Sequence, residues 1–212
     1  MPELITLTRE GSSRIEIKQS VFIGSSKRVS SKEEAEEFIK HEKSLYPDAK
    51  HCCYAWRLRQ GNLSKSTDDG EPSGTAGMPL LSLLQNSEMS DCAVCVTRYF
   101  GGILLGKGGL VRAYTEAGKA ALADGMPASF RSGITYQVLM DYPLYDRFVR
   151  EANARGFDVG EGVFGQKVDL AVRVKEEDAG LFEDFATDIS SGRAILTKGE
   201  KCEMNGGILD LF

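Results

Sequence analysis

Apolar residues at 35, 38, 39 and 45 recur at helical spacing on one face of a segment that ends before Pro47. Ser31-Lys32-Glu33-Glu34 precedes them as a capping box, with the Ser31 hydroxyl placed to accept from the Glu34 backbone and the Glu34 carboxylate to reach back. Together these predict a helix over 32–45. Around it the pattern shortens to alternation, so that 4–8, 14–18, 20–29 and 50–59 read as strands. Residues 61–77 read as one long polar loop, 79–88 as a helix opened by Pro79, and 91–100 as a buried strand. Five glycines between 101 and 109 then lead into an alanine-rich helix over 110–124, stopped by Gly125-Met126-Pro127.

From residue 133 the order changes. A strand (134–141), a helix (143–155), two strands (157–164 and 167–174), a helix (176–190) and a last strand (193–202) spell βαββαβ, the split order of a ferredoxin-like domain. The expected architecture is therefore α+β in two domains, 1–132 and 133–212, with the break near 128–133. Phe182, Phe185, Ala186 and Ile189 form the buried face of the second domain's later helix, and no cluster of catalytic residue types occurs in that half.

Composition adds location and sign. With 212 residues, 42% of them hydrophobic, the chain can bury one large core or two moderate ones. No stretch approaches the roughly 20 apolar residues of a membrane span, and the N-terminus lacks the features of a secretion signal, so a cytoplasmic location is expected. The net charge of −5 is uneven: residues 1–132 hold 17 Lys and Arg against 16 Asp and Glu, whereas 133–212 hold 9 against 15. An anion-binding surface is thus expected in the first domain. The five cysteines are expected to be free thiols. Strand parity sends Cys52 and Cys53, and likewise Cys92 and Cys95, to opposite sheet faces, which makes them core residues rather than metal ligands.

Two loops carry candidate chemistry. Asp68, Asp69 and Glu71 lie within four positions in a hydroxyl-rich stretch, a donor set suited to a hard cation such as Mg²⁺ or to capping helix and turn donors. In the second loop, Gly106-Lys107-Gly108-Gly109 can aim backbone N–H groups and one lysine at an anion on the following helix. Its match to a nucleotide-hydrolysing phosphate loop is partial, because Gly108 stands where a Ser or Thr would hold Mg²⁺. Arg112, Glu116 and Lys119 share a polar helix face, and Arg112 falls in the expected first turn, where a cation is favoured only beside an anion. His51, at the start of a strand, reads as a hydrogen-bonded structural residue or as an acid–base group.

At these motifs the chain resembles a known family. Lys50-His51-Cys52-Cys53-Tyr54-Ala55, then Asp68-Asp69-Gly70-Glu71-Pro72-Ser73-Gly74-Thr75-Ala76-Gly77, then Thr97-Arg98-Tyr99-Phe100-Gly101-Gly102 with Leu105-Gly106-Lys107-Gly108-Gly109-Leu110-Val111-Arg112-Ala113-Tyr114, resemble the signatures of the Impact/YigZ family in its bacterial two-domain form. The resemblance implies a first domain like domain 2 of ribosomal protein S5 and a second like the ferredoxin-like C-terminal domain of elongation factor G. It also implies a link to translation, since eukaryotic members regulate translation initiation. The expectation is a binding protein that contacts RNA, the ribosome or translation factors through its first domain. Arg98, Lys107 and Arg112 would meet phosphate, Tyr99 would stack on a base, and Asp68, Asp69 and Glu71 would accept protons or hold a bridging Mg²⁺. His51, Tyr54, Ser73, Thr75, Gly101, Gly102, Gly106, Gly108, Gly109 and Tyr114 complete the candidate binding residues. A Mg²⁺-dependent enzyme on a small phosphorylated or nucleotide substrate, and a protein-docking role for the acidic second domain, are the alternatives. Open strand edges in that domain permit a homodimer.

Overall fold

Most of the expected elements are realised in a computed structural model that describes residues 3–212, but the strand expected over 134–141 runs over 127–140, through the expected break near 128–133, and the last strand, expected over 193–202, runs over 195–208. In chain order the elements are β1 (Leu4–Leu7), β2 (Gly11–Ile17), β3 (Ser20–Arg28), α1 (Lys32–Leu45), β4 (His51–Leu58), β5 (Leu63–Thr67), α2 (Gly77–Asn86), β6 (Cys92–Tyr99) and α3 (Gly106–Asp124). They continue with β7 (Pro127–Met140), α4 (Tyr142–Ala154), β8 (Asp158–Phe164), β9 (Val168–Lys175), α5 (Ala179–Ser190) and β10 (Ile195–Ile208). The chain divides into two compact units. One comprises Leu4–Ser129 with Gly207–Phe212, and the other Phe130–Gly206 with Glu3.

The first unit is an antiparallel sheet in the order β2-β3-β6-β4-β5 with helices on both faces. Alternation along β4 and β6 creates its two cores. Cys53, Ala55, Cys92, Val94 and Val96 face α2 and α3, whereas Cys52, Trp56, Ala93 and Cys95 face α1. The cysteine parity expected from the sequence is therefore observed. α3 is fastened to the sheet by Ser13 and Ser26, whose hydroxyls donate to the carbonyls of Ala117 and Ala121 at 2.8 Å each. Leu211 and Phe212 pack on the same core.

Three expectations are corrected here. Residues 61–77 are not one loop, because Leu63–Thr67 adds an edge strand to β4 and leaves the loop at 68–76. α3 begins at Gly106, so Gly106–Gly109 form its first turn and Arg112 lies in the second. The capping box is half realised: Ser31 Oγ accepts from Glu34 N at 3.2 Å, but the Glu34 carboxylate takes Ser30 N at 2.7 Å and Ser30 Oγ at 2.8 Å. Those bonds, with that to the Ser30 backbone foremost, hold the Glu34 carboxyl below its ordinary range.

The second unit has the expected βαββαβ order, and its own strands lie as fourth, first, third and second: β10-β7-β9-β8. Phe148, Phe157, Phe182 and Phe185 meet in one aromatic cluster beneath the sheet. This is the ferredoxin-like arrangement.

Candidate functional site

All three sequence motifs of the first unit meet at the end of β6. There Arg98 points into the α2/α3 face with its guanidinium 5.4 Å from each of the Phe22 and Phe100 ring centroids. Its Nη1 donates to Glu71 Oε1 at 2.7 Å, and the two side chains are only 7% and 4% exposed. The Tyr114 hydroxyl donates to the same carboxylate oxygen at 2.8 Å. Tyr114 is wholly buried edge-on against Phe22, and burial above all pushes its phenol well up, so it stays a neutral donor. Arg98 Nη2 reaches Ser20 Oγ at 3.4 Å, while Nε is buried without a partner. One loop, two strands and one helix are thus pinned together by a single ion pair.

The acidic loop is built the same way, from the inside. Asp68 accepts from Ala76 N and Gly77 N on one carboxylate oxygen and from Gly74 N on the other, at 2.8–2.9 Å. It serves as the cap that α2 lacks at its own N-cap residue Ala76. Burial works to raise the Asp68 carboxyl, but the backbone donors outweigh it and hold the group below its ordinary value. Asp69 turns the other way, accepting from Cys52 N at 2.9 Å and pairing with Lys43 of α1 at 3.0 Å. His51 Nδ1 lies 2.8 Å from the Asp69 carbonyl, which can only accept, so Nδ1 is the donor in that bond. Thr75 closes the turn by donating to the Pro72 carbonyl at 2.6 Å, and Ser73 is exposed.

The three carboxylates therefore do not converge. Asp68 faces α2, Asp69 faces β4 and α1, and Glu71 faces Arg98, and among the described residues no three His, Cys, Asp or Glu side chains group to hold a metal ion. Arg98 and Tyr99 also part company. Arg98 lies opposite His51 across β4, on the α2/α3 face, whereas Tyr99 projects to the other face, where its hydroxyl donates to Asp48 at 2.8 Å and its ring meets Tyr46 edge-on. Arg98 is a buried brace, not a presented phosphate ligand, because strand alternation sends it inward with Val96 and Val94. Tyr54 sits half-buried on the α1 face.

The second loop presents apolar side chains, glycines and cations to solvent. Gly101 passes so close to Gln19 that a Cβ would fall 2.0 Å from its carbonyl carbon, and its N–H donates to Ser20 Oγ at 3.1 Å. Beyond it Gly102 turns at φ +84 and Gly106 at φ +71. Before them Phe100 is exposed, and between them Ile103 is exposed and Leu104 is 83% exposed. Gly108 borders open space, and Gly109 meets only the Leu105 side chain. The N-terminus of α3 has no side-chain cap. Lys107 and Arg112 are exposed, and among the described residues neither has an ion pair.

Sequence reasoning missed Ser20, Phe22, Lys43 and the Cys52–Cys95 contact. Ser20, Phe22 and the thiol contact become visible only once the β3–β6–β4 register is known, and Lys43 only through the meeting of α1 with the 68–76 loop, since the partners lie 78, 76, 43 and 26 positions from the residues they serve.

Residues 18–122 match the model of the Impact N-terminal domain, and 138–193 that of a domain of unknown function, DUF1949. The IMPACT family member YvyE of Bacillus subtilis (strain 168) is 34% identical over 203 residues, covering 92% of this chain and 90% of that one. The family member YigZ of Escherichia coli (strain K12) is 44% identical over 102 residues, about half of either chain. Among solved structures, the crystal structure of a hypothetical protein covers 92% of this chain and 97% of its own, at 28% identity and a TM-score of 0.60. With the signature motifs gathered at one hub and this likeness along nearly the whole length, the chain belongs to the IMPACT family.

Proposed function

We propose that this protein acts in the regulation of translation as a binding protein, and that it meets RNA on the ribosome through the loop 100–109 and the start of α3. One observation carries the reading: the acidic residues of the 68–76 loop, His51 and Arg98 are spent on partners within the protein, while the motif residues left to solvent beyond β6 are donors, cations and apolar side chains. Asp68, Asp69, Glu71, His51 and Arg98 hold two loops in place. Uncapped N–H groups, Lys107 and Arg112 supply the positive potential a phosphate needs, and Phe100 and Leu104 supply surface for an unstacked base. A first domain near electrical neutrality agrees with local contact rather than broad phosphate tracking. The translational role follows what the family resemblance implies for the eukaryotic members.

The test is cosedimentation with ribosomes at low and moderate salt, for the native protein and a Lys107→Ala/Arg112→Ala variant. Binding that weakens with salt and with the substitutions supports the reading. Binding unaffected by either, or none in low salt, overturns it.

A further inference from the structure

On the α1 face of the first unit, two thiols lie against each other. Cys52 of β4 and Cys95 of β6 have their sulfur atoms 2.8 Å apart, and both side chains are buried. The register explains the meeting: Cys52 opposes Thr97 and Cys95 opposes Tyr54, so the pair is a cross-strand diagonal on one face, the diagonal that strand twist brings together. Cys53 and Cys92, on the opposite face, have no such partner and are sealed in the other core. We propose that Cys52 and Cys95 are an oxidative modification site, a dithiol that closes to an intramolecular disulfide on reaction with a hydroperoxide.

The two sulfurs have different surroundings, and these assign the roles. A hydrogen bond from the Cys95 thiol favours the Cys52 thiolate, with the Thr97 hydroxyl and Lys43 adding to it against burial and Asp69, so Cys52 falls below an ordinary thiol. Cys95 is held well above it by the same bond and by burial. Cys52 is also the more accessible sulfur, 6% exposed against 1% for Cys95, and is the nucleophile. Its thiolate attacks one oxygen of the hydroperoxide; the O–O bond breaks, the leaving oxygen takes a proton and departs as alcohol or water, and Cys52 becomes a sulfenic acid. The Cys95 sulfur then attacks that sulfur, loses its proton and expels water. Two thiols are oxidised, one hydroperoxide is reduced, and the bridge forms as the sulfurs close to about 2.05 Å. Cys52 N also holds the Asp69 carboxylate, so closure acts on the strand that anchors the 68–76 loop.

The experiment treats the reduced full chain with hydrogen peroxide, then denatures it, alkylates the remaining thiols and maps them by mass spectrometry. The expected result is a fall from five free cysteines to three, a Cys52–Cys95 cross-linked peptide that dithiothreitol reverses, and a raised melting temperature. A Cys202→Ser variant removes the half-buried thiol outside this unit's cores and leaves the cross-link unchanged. In Cys95→Ser, Cys52 halts as a sulfenic acid that dimedone traps. Five thiols remaining, or loss confined to Cys202 or to bridges between molecules, overturns the proposal, and the native chain alone decides it.

Discussion

Replacing Arg98 with methionine isolates the brace at the centre of the first unit. Methionine fills the slot between Phe22 and Phe100 with a flexible apolar chain, so little packing is lost. What changes is electrostatic: the Glu71 carboxylate, 4% exposed, loses the guanidinium 2.7 Å away and keeps only the Tyr114 hydroxyl. Leaving one member of a buried pair uncompensated costs about 3–5 kcal/mol. For a unit of this size that corresponds to a melting temperature lower by about 10–20 °C. Glu71→Gln in the Arg98→Met background removes the orphaned charge, and its amide oxygen still accepts from Tyr114. The double variant should therefore melt above Arg98→Met alone, with a coupling of about 1–3 kcal/mol. Thermal and urea unfolding followed by circular dichroism measure both quantities. A fall of less than about 3 °C for Arg98→Met, or strictly additive effects, would refute the assignment of Arg98 as a structural brace.

Further outcomes follow from the same geometry. Gly101→Ala should prevent folding of the first unit, because its Cβ would sit 2.0 Å from a Gln19 backbone carbon, while Gly108→Ala, in open space within α3, should leave stability equal or higher by up to about 1 kcal/mol; thermal melts compare them. Asp68 has a folded pKa below its unfolded 3.8, so its contribution is present above that value and lost as pH falls through the folded one. Asp68→Asn should be less stable at neutral pH and flatter in an acid unfolding series. In native alkylation Cys202, half-buried, should react first, whereas Cys92, pushed up to about 12 by burial, should react only on unfolding.

Much of the fold is legible from local signals. The helix at 32–45 is announced by Ser31, by its apolar stripe and by Pro47, and each is a contact within four residues or an absence of one. The same holds for the alternation that separates Cys52 from Cys53. β5 escapes because it is an exposed edge strand with polar residues outward, so no apolar period marks it. The early start of α3 escapes because three of its first four residues are glycine, a poor helix former, and packing of Leu105 and Leu110 on the core overrides that propensity.

The site was legible in position but not in direction. Asp68, Asp69 and Glu71 are neighbours in sequence, yet Asp69 and the glycine after it take positive φ, and the turn sends the three carboxylates toward different elements. Adjacency gave them the look of a cation site; the turn makes them three separate braces. Arg98 was open to correction from sequence alone, since the alternation that buries Val94 and Val96 carries it inward as well. Its partner Glu71, 27 positions away, was not readable without the register.

The central claim separates a buried brace from an exposed binding surface, and the salt dependence of RNA binding tests it directly. Binding constants would be measured by fluorescence anisotropy on ribosomal RNA fragments across a salt series, for the native protein, Lys107→Ala/Arg112→Ala, and Arg98→Met/Glu71→Gln at a temperature where all are folded. The expected result is a slope of log K against log salt shallower by about 1.4 for the first variant on single-stranded RNA, and unchanged for the second. An unchanged slope without Lys107 and Arg112, or a slope that falls with the buried pair, would contradict the account.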